Sequence, residues 1–308
     1  MNYGKKGVRA KQKALNSKSQ KWGRKLALTC VKIMLAAVVG IGICGVAAGI
    51  GVFRGILSST PTIRLSDVVA VGEATIVYDK EGNEIDQIVS TISNRLSVGM
   101  DEIPDYLGKA FVAIEDERFY QHNGIDVKGI LRAGYQFIKT GGEEAQGAST
   151  ITQQLLKNTV FTDWTSEGNN KIKKIKRKIQ EQYLALEITK YYSKDEILLR
   201  YMNAINLGQN TLGVESASLR YFGKHCSDLT LSECAVIASI TQNPSKYNPI
   251  RHPEDNAVRR EKCLNKMLEL GFVSQSEYDE AMADTDAVYE RIGLYDIDYQ
   301  EANATTGS

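Results

Sequence analysis

From Ile33 to Phe53 the chain reads IMLAAVVGIGICGVAAGIGVF, 21 residues without a charge. A helix needs about 20 apolar residues to cross the hydrocarbon core of a bilayer, where every backbone N–H and C=O must be satisfied inside the segment. The stretch therefore predicts a transmembrane helix, set at 26–53 with its flank, and whatever else folds must do so on one side of it. Nine Lys/Arg lie within the first 25 residues. By the positive-inside bias, residues 1–25 form a cytoplasmic basic tail and the chain beyond Phe53 is extracytoplasmic. Lys32, at the inner edge, can extend its ammonium to the interface. A cleaved signal peptide would have a shorter apolar region ending in a small-x-small site, so the uncleaved anchor is the preferred reading.

The anchor explains the charge balance. Residues 1–66 hold twelve Lys/Arg and no acid, which leaves 26 basic against 37 acidic residues in the remainder. A net acidic extracytoplasmic part argues against nucleic acid as a partner. The five cysteines have no metal-ligand spacing, and no metal site is expected from them.

Past the anchor, TIVYDKEGNEI (Thr75–Ile85) reads as two strands around a turn containing Gly82 and Asn83. Strand-like alternation is rare beyond Ile92, so the outer part is mainly α. Capping boxes mark helix starts at Ser193…Glu196, Thr230…Glu233 and Ser274…Glu277, with Thr150…Gln153 a weaker case. Lys139–Gly147 and Thr162–Asn170 read as flexible segments. Glu277 to Glu301 holds nine acids and one Arg, and reads as a solvated tail or the start of a linker.

Three stretches carry chemistry. In AIEDERFYQHNG (Ala113–Gly124), a helix opened by Pro104 puts Leu107, Phe111 and Ile114 on one stripe, Glu115 at its border and Asp116 on the opposite side. A carboxylate at an apolar edge loses hydration, which favours proton transfer, although solvated acids at a helix end fit the spacing equally. In QGASTITQQLLKN (Gln146–Asn158), Ser149 and Thr150 precede a helix whose N-terminal N–H groups can meet an anion, and Gln153, Gln154 and Lys157 follow. An ordinary N-cap explains that pattern as well. In NKIKKIKRKIQEQYLALEI (Asn170–Ile188), six of the eight residues Lys171–Lys178 are cations, and Glu181 shares a face with Arg177 and Lys178 on one side and Leu184, Ala185 and Ile188 on the other. A phosphate, a diphosphate or an anionic membrane surface suits this run, and so does a solvated helix with i, i+4 ion pairs.

In order, these stretches resemble the family 51 glycosyltransferases, peptidoglycan polymerases found alone or as the first domain of class A penicillin-binding proteins. EDERFYQHNG resembles E-D-x-x-F-x-x-H-x-G, GASTITQQ resembles G-x-S-T-x-x-Q-Q, RKIQE resembles R-K-x-x-E, and KDEILLRYMNAINLG resembles K-x-x-I-L-x-x-Y-x-N-x-x-x-x-G. The fifth pattern, R-R-x-x-V-L, is met in part by RREKCL (Arg259–Leu264), where Cys263 stands for Val. The resemblance implies a lysozyme-like, mainly α fold with a small membrane-associated subdomain, at 54–270, with a C-terminal helix and acidic tail at 271–308. It implies lipid II and the growing lipid-linked glycan as substrates, inversion at C1, release of undecaprenyl diphosphate, and the membrane and other cell-wall synthesis proteins as partners.

By position in the patterns, Glu115 is the expected general base and Glu181 the second catalytic carboxylate. Asp116, Phe119, His122, Ser149, Thr150, Gln153, Gln154, Lys157, Arg177, Lys178, Tyr201 and Asn203 are the expected substrate-binding residues. Phe119, His122, Tyr201 and Asn203 are expected to shape the cleft rather than move protons. No cofactor is required, although a divalent cation, Mg or Mn, can assist the diphosphate. The chain has no S-x-x-K tetrad of a transpeptidase, so it reads either as a monofunctional enzyme or as a chain ending in the linker after the first domain, and the acidic tail favours the latter. A lysozyme-like hydrolase and a non-catalytic membrane-anchored scaffold are the competing functional readings.

Overall fold

The computed structural model describes residues 4–15, 18–63, 68, 75–78, 84–88, 94–140, 147–162, 167–168 and 170–295. It divides into Met1–Thr60 and Pro61–Ser308. The first unit holds α1 (Lys5–Leu15) and α2 (Lys18–Ser58), a single helix of 41 residues. Within α2, Trp22–Ser58 contains an 18-residue window of mean hydropathy 2.5, none of it buried, so this helix is long and apolar enough to cross a membrane.

The second unit is mainly helical. As the sequence predicts, two strands pair as a hairpin, β1 (Thr75–Tyr78) antiparallel with β2 (Glu84–Ile88); the register sets Thr75 against Ile88, and β2 runs past the expected end at Ile85. The expected Gly82–Asn83 turn lies outside the described residues. Two very short strands, β3 (Asn94–Arg95) and β4 (Thr211–Leu212), pair in parallel, which two residues of alternation could not announce.

The core is built where α3 (Asp105–Glu115), α9 (Leu231–Ile240) and α10 (Pro253–Glu269) pack on one another. α9 is apolar on all sides, the composition of a helix surrounded by protein, and each of its ten residues is buried. The other helices are α4 (Val127–Lys139), α5 (Ile151–Thr159), α6 (Lys171–Ile188), α7 (Lys194–Ala204), α8 (Val214–Phe222), α11 (Gln275–Ala283) and α12 (Thr285–Glu290). All three expected capping boxes form, at Ser193, Thr230 and Ser274, while Thr150 caps α5 through Gln153 N without the reciprocal bond.

α11 and α12, which lie beyond residue 270, pack against α9 and α10 and bury Ala281 and Val288. Arg260 holds this corner together. Its fully buried guanidinium donates to Ser232 Oγ (2.8 Å), to Thr285 Oγ1 (3.0 Å) and to the Ala281 carbonyl. A buried cation needs such partners, because desolvation is otherwise uncompensated.

Candidate active site

α3 ends at Glu115, and Asp116 leaves the helix with φ −157° and ψ 69°. This corrects the expectation that Asp116 faces the side opposite the stripe: the helical projection stops one residue too early to govern it. Asp116 instead turns inward and is 7% exposed. It accepts from the backbone N–H of Ile151 (3.0 Å) and pairs with His122 Nε2 (3.0 Å). The first free N–H of α5 is therefore already capped by a carboxylate, and Gln153 N is capped by Thr150 Oγ1 (3.2 Å). Two of the N-terminal N–H groups of α5 are thus satisfied within the protein.

Gly124 closes this turn. Its φ is +89°, and a Cβ there would lie 2.3 Å from the Ala185 carbonyl oxygen of α6, so only glycine fits. Thr150 Oγ1 donates to the Gly124 carbonyl (2.7 Å), which locks the turn to the start of α5.

Glu115 receives three donors from three elements. Gln154 Nε2 of α5 reaches Oε2 at 2.8 Å, while Arg259 Nη2 of α10, at 2.7 Å, and Thr241 Oγ1, just past α9, both reach Oε1. Arg259 is itself fixed by the Ser239 carbonyl (3.0 Å) and Gln242 Oε1 (2.7 Å). The neighbouring arginines thus divide their work, Arg259 holding the carboxylate and Arg260 the scaffold. Glu115 also lines a small charged depression shared with Glu117, Arg118, Arg132 and Ser149. There Glu117 is held by Arg118, Arg132 and Lys266. Burial pushes its carboxyl up, but hydrogen bonds from Arg132 and Lys266 outweigh this and bring it below the usual range.

Glu181 is fully buried on α6 and paired with Arg177 and, at 3.0 Å, with Lys178. Arg177 also holds Glu167 (2.9 Å), and Lys178 Nζ reaches Ser149 Oγ (2.7 Å). α5 connects this cluster to Glu115. Its Gln154 holds Glu115, and the ammonium of its Lys157 feels both Glu181 and Glu115 as well as Lys178 and Arg177. Burial of Lys157 is the main effect and lowers its pKa below the ordinary lysine value.

Several expected binding residues form the floor of the site. Phe119 and Tyr201 are fully buried, Tyr201 donating to Gln154 Oε1 (3.3 Å). Asn203 uses its amide on the Val98 backbone, accepting at 3.1 Å and donating at 2.9 Å. These three support neighbouring groups and present little surface, in keeping with the expectation that they shape the cleft. Gln153 is 1% exposed, and neither of its amide atoms has a hydrogen-bond partner. Thr241 and Arg259 were not anticipated. The partial RREKCL match was the only signal for Arg259, and nothing in the sequence marks Thr241.

A sequence model of the transglycosylase family matches residues 81–268, which include every residue of this site. The chain belongs to the transglycosylase family. It is 40% identical over 273 residues to a penicillin-binding protein 1A of Clostridium botulinum, covering 86% of this chain and 32% of that protein. It is 40% identical over 259 residues to a penicillin-binding protein 1A of Clostridium perfringens (80% and 37%), and 41% identical over 201 residues to penicillin-binding protein 1F of Bacillus subtilis (65% and 27%). The chain thus spans about a third of the length of these relatives. The crystal structure of penicillin-binding protein 1A from Haemophilus influenzae matches at a TM-score of 0.35 and 24% identity, covering 70% of this chain and 21% of that one. Membership in the family, with the apolar α2, makes this a membrane-anchored member.

Proposed function

We propose that the chain polymerises lipid II into peptidoglycan glycan strands on the extracytoplasmic face of a bacterial membrane. The observation that carries this reading is one carboxylate, Glu115, held by three donors and linked through α5 to a buried carboxylate set among lysine and arginine. Glycosyl transfer from a lipid diphosphate needs a base for the attacking hydroxyl and positive charge where the diphosphate departs.

In this mechanism Glu115 takes the proton of the sugar 4-hydroxyl of incoming lipid II. The hydroxyl oxygen attacks C1 of the growing chain, the C1–O bond to the lipid diphosphate breaks, and undecaprenyl diphosphate leaves with the bonding pair. Direct displacement at an α-linked C1 gives a β linkage, hence inversion. Lys157 and Lys178 would meet the diphosphate oxygens in this reading, and Lys178 is 40% exposed. Arg177 serves instead as a brace between Glu181 and Glu167. Glu181 holds these cations in place, Ser149 orients the sugar and phosphate, and the Asp116–His122 pair fixes the turn that aims Glu115.

Among the described residues no group of three or more His, Cys, Asp and Glu could hold a metal ion. No step is assigned to Mg²⁺ or Mn²⁺. Such an ion would be held chiefly by the substrate diphosphate. The basic residues near the N-terminus support a cytoplasmic N-terminus by the positive-inside bias, and other cell-wall synthesis proteins are the expected partners.

The test is incubation of the purified chain with labelled lipid II, with divalent metal and with a chelator. Long glycan is the expected product. Shortening of finished glycan with no polymer from lipid II would instead make the chain a hydrolase, and no turnover of either would make it a scaffold.

A further inference from the structure

Glu115 carries its donors unevenly. Arg259 Nη2, at 2.7 Å, and Thr241 Oγ1 both close on Oε1, whereas Oε2 has Gln154 Nε2, at 2.8 Å, alone. An ionised carboxylate offers about four lone-pair positions, two on each oxygen. Among the described residues, Oε1 is therefore filled and Oε2 keeps one position open. Arg259 stays charged whichever form Glu115 takes, since a guanidinium does not give up its proton.

Thr241 differs from the other two donors. It caps the C-terminal end of α9, is 9% exposed, and lies outside the five family patterns. Its hydroxyl is also 2.9 Å from the Ala238 carbonyl, one turn back. A hydroxyl has a single proton and a carbonyl only accepts, so the two contacts compete for it. While Glu115 is ionised, the charged oxygen is the stronger acceptor and holds the proton. When Glu115 is protonated at Oε2, Oε1 is a neutral carbonyl and the Thr241 proton can return to Ala238, so the buried hydroxyl has a partner in either state.

From this we infer that Thr241 is a positioning residue for the base: its hydroxyl proton follows the charge of Glu115, keeping the carboxylate ionised at rest and leaving Oε2 to receive the sugar proton. The proton passes from the sugar oxygen to Oε2, and the O–H bonding pair stays on that oxygen for attack at C1. This rests on the role of Glu115 proposed above and names the group that sets its protonation.

Other charged groups face Glu115: Asp116 with His122, Glu117, Arg118 and Arg132 around the depression, and Lys157 of α5. The phenol of Tyr201 on α7 and the thiol of Cys263 on α10 feel its charge too, and burial pushes both up, out of the acidic range. All of these are common to the parent and to variants at Thr241.

The experiment is the pH profile of kcat/KM for lipid II polymerisation by the membrane-reconstituted chain, with circular dichroism as the control for folding. Thr241→Val keeps the branched shape without the hydroxyl. Losing a donor to the ionised form should move the acidic limb to higher pH by about one unit. Thr241→Ala should move it in the same direction, and Thr241→Ser, which retains the hydroxyl, should restore the parent limb. A purely structural role would lower the rate at every pH and leave the limb in place, and that result would overturn the inference. So would a limb displaced as far by serine as by valine. A polymerising parent with an unmoved limb in Thr241→Val leaves Glu115 standing as the base, whereas no polymer from the parent at any pH removes both.

Discussion

In α9 all ten residues from Leu231 to Ile240 are buried, whereas in α4, from Val127 to Lys139, only Gly129 is. Yet α4 has the more sharply divided pattern. Val127, Leu131, Tyr135 and Ile138 line one face of it and are exposed, Ile138 at 81%, while Lys128, Arg132 and Lys139 lie elsewhere around the helix. The difference shows that periodicity reports which face avoids water and not what covers it. The apolar residues of α9 are covered by α3 and α10. The corresponding face of α4 is left exposed among the described residues.

The largest effect that could break this contrast is in stability. Ile237→Ala, in the middle of α9, should cost about 2–5 kcal/mol in denaturant unfolding, because it leaves a cavity in packed surroundings. Leu131→Ser on α4 should change stability by less than about 0.5 kcal/mol, because the side chain is exposed. Similar losses at the two positions would mean that α4 is part of the core after all.

A second, smaller effect concerns how α9 begins. Thr230 and Glu233 bond reciprocally, and Lys224 closes on Glu233 at 2.8 Å. Thr230→Ala should lower stability by about 1 kcal/mol. Ser193→Ala, at the exposed start of α7, should cost no more than that, since water can replace the lost acceptor.

The smallest effect is a shift in pH dependence. Burial lowers the pKa of Lys157, so its charge is lost as pH rises through a value below that of an ordinary lysine. If that charge meets the diphosphate, kcat/KM for lipid II should fall on an alkaline limb below the ordinary lysine range. Lys157→Arg, which stays protonated, should move that limb upward. An unchanged limb in Lys157→Arg would assign it to another group.

Much of the molecule was legible because its signals are local. Ser193, Thr230 and Ser274 announce their helices through a partner three residues away. The anchor is a single uninterrupted run, and the hairpin alternates around its turn. Asp116 was misplaced because a helical projection was carried one residue past the end of α3, where the backbone reverses the side chain into the protein. The partners of Glu115 were hidden for another reason. Thr241 and Arg259 lie 126 and 144 residues further along the chain, and only the packing of α3 against α9 and α10 brings them to one oxygen. The cations of α6 looked equivalent as a run, and burial alone separates the two that hold Glu181 from the four that face outward.

The central claim is that Glu115 is the base, and the direct measurement is glycan synthesis from lipid II by Glu115→Gln, with circular dichroism and membrane insertion as controls. Glutamine keeps the size of the side chain and can still accept from Gln154 or Thr241, but it cannot take the hydroxyl proton. A loss of about a hundredfold to ten-thousandfold in rate, with fold and insertion intact, is the predicted result. Polymerisation at the parent rate would contradict the account.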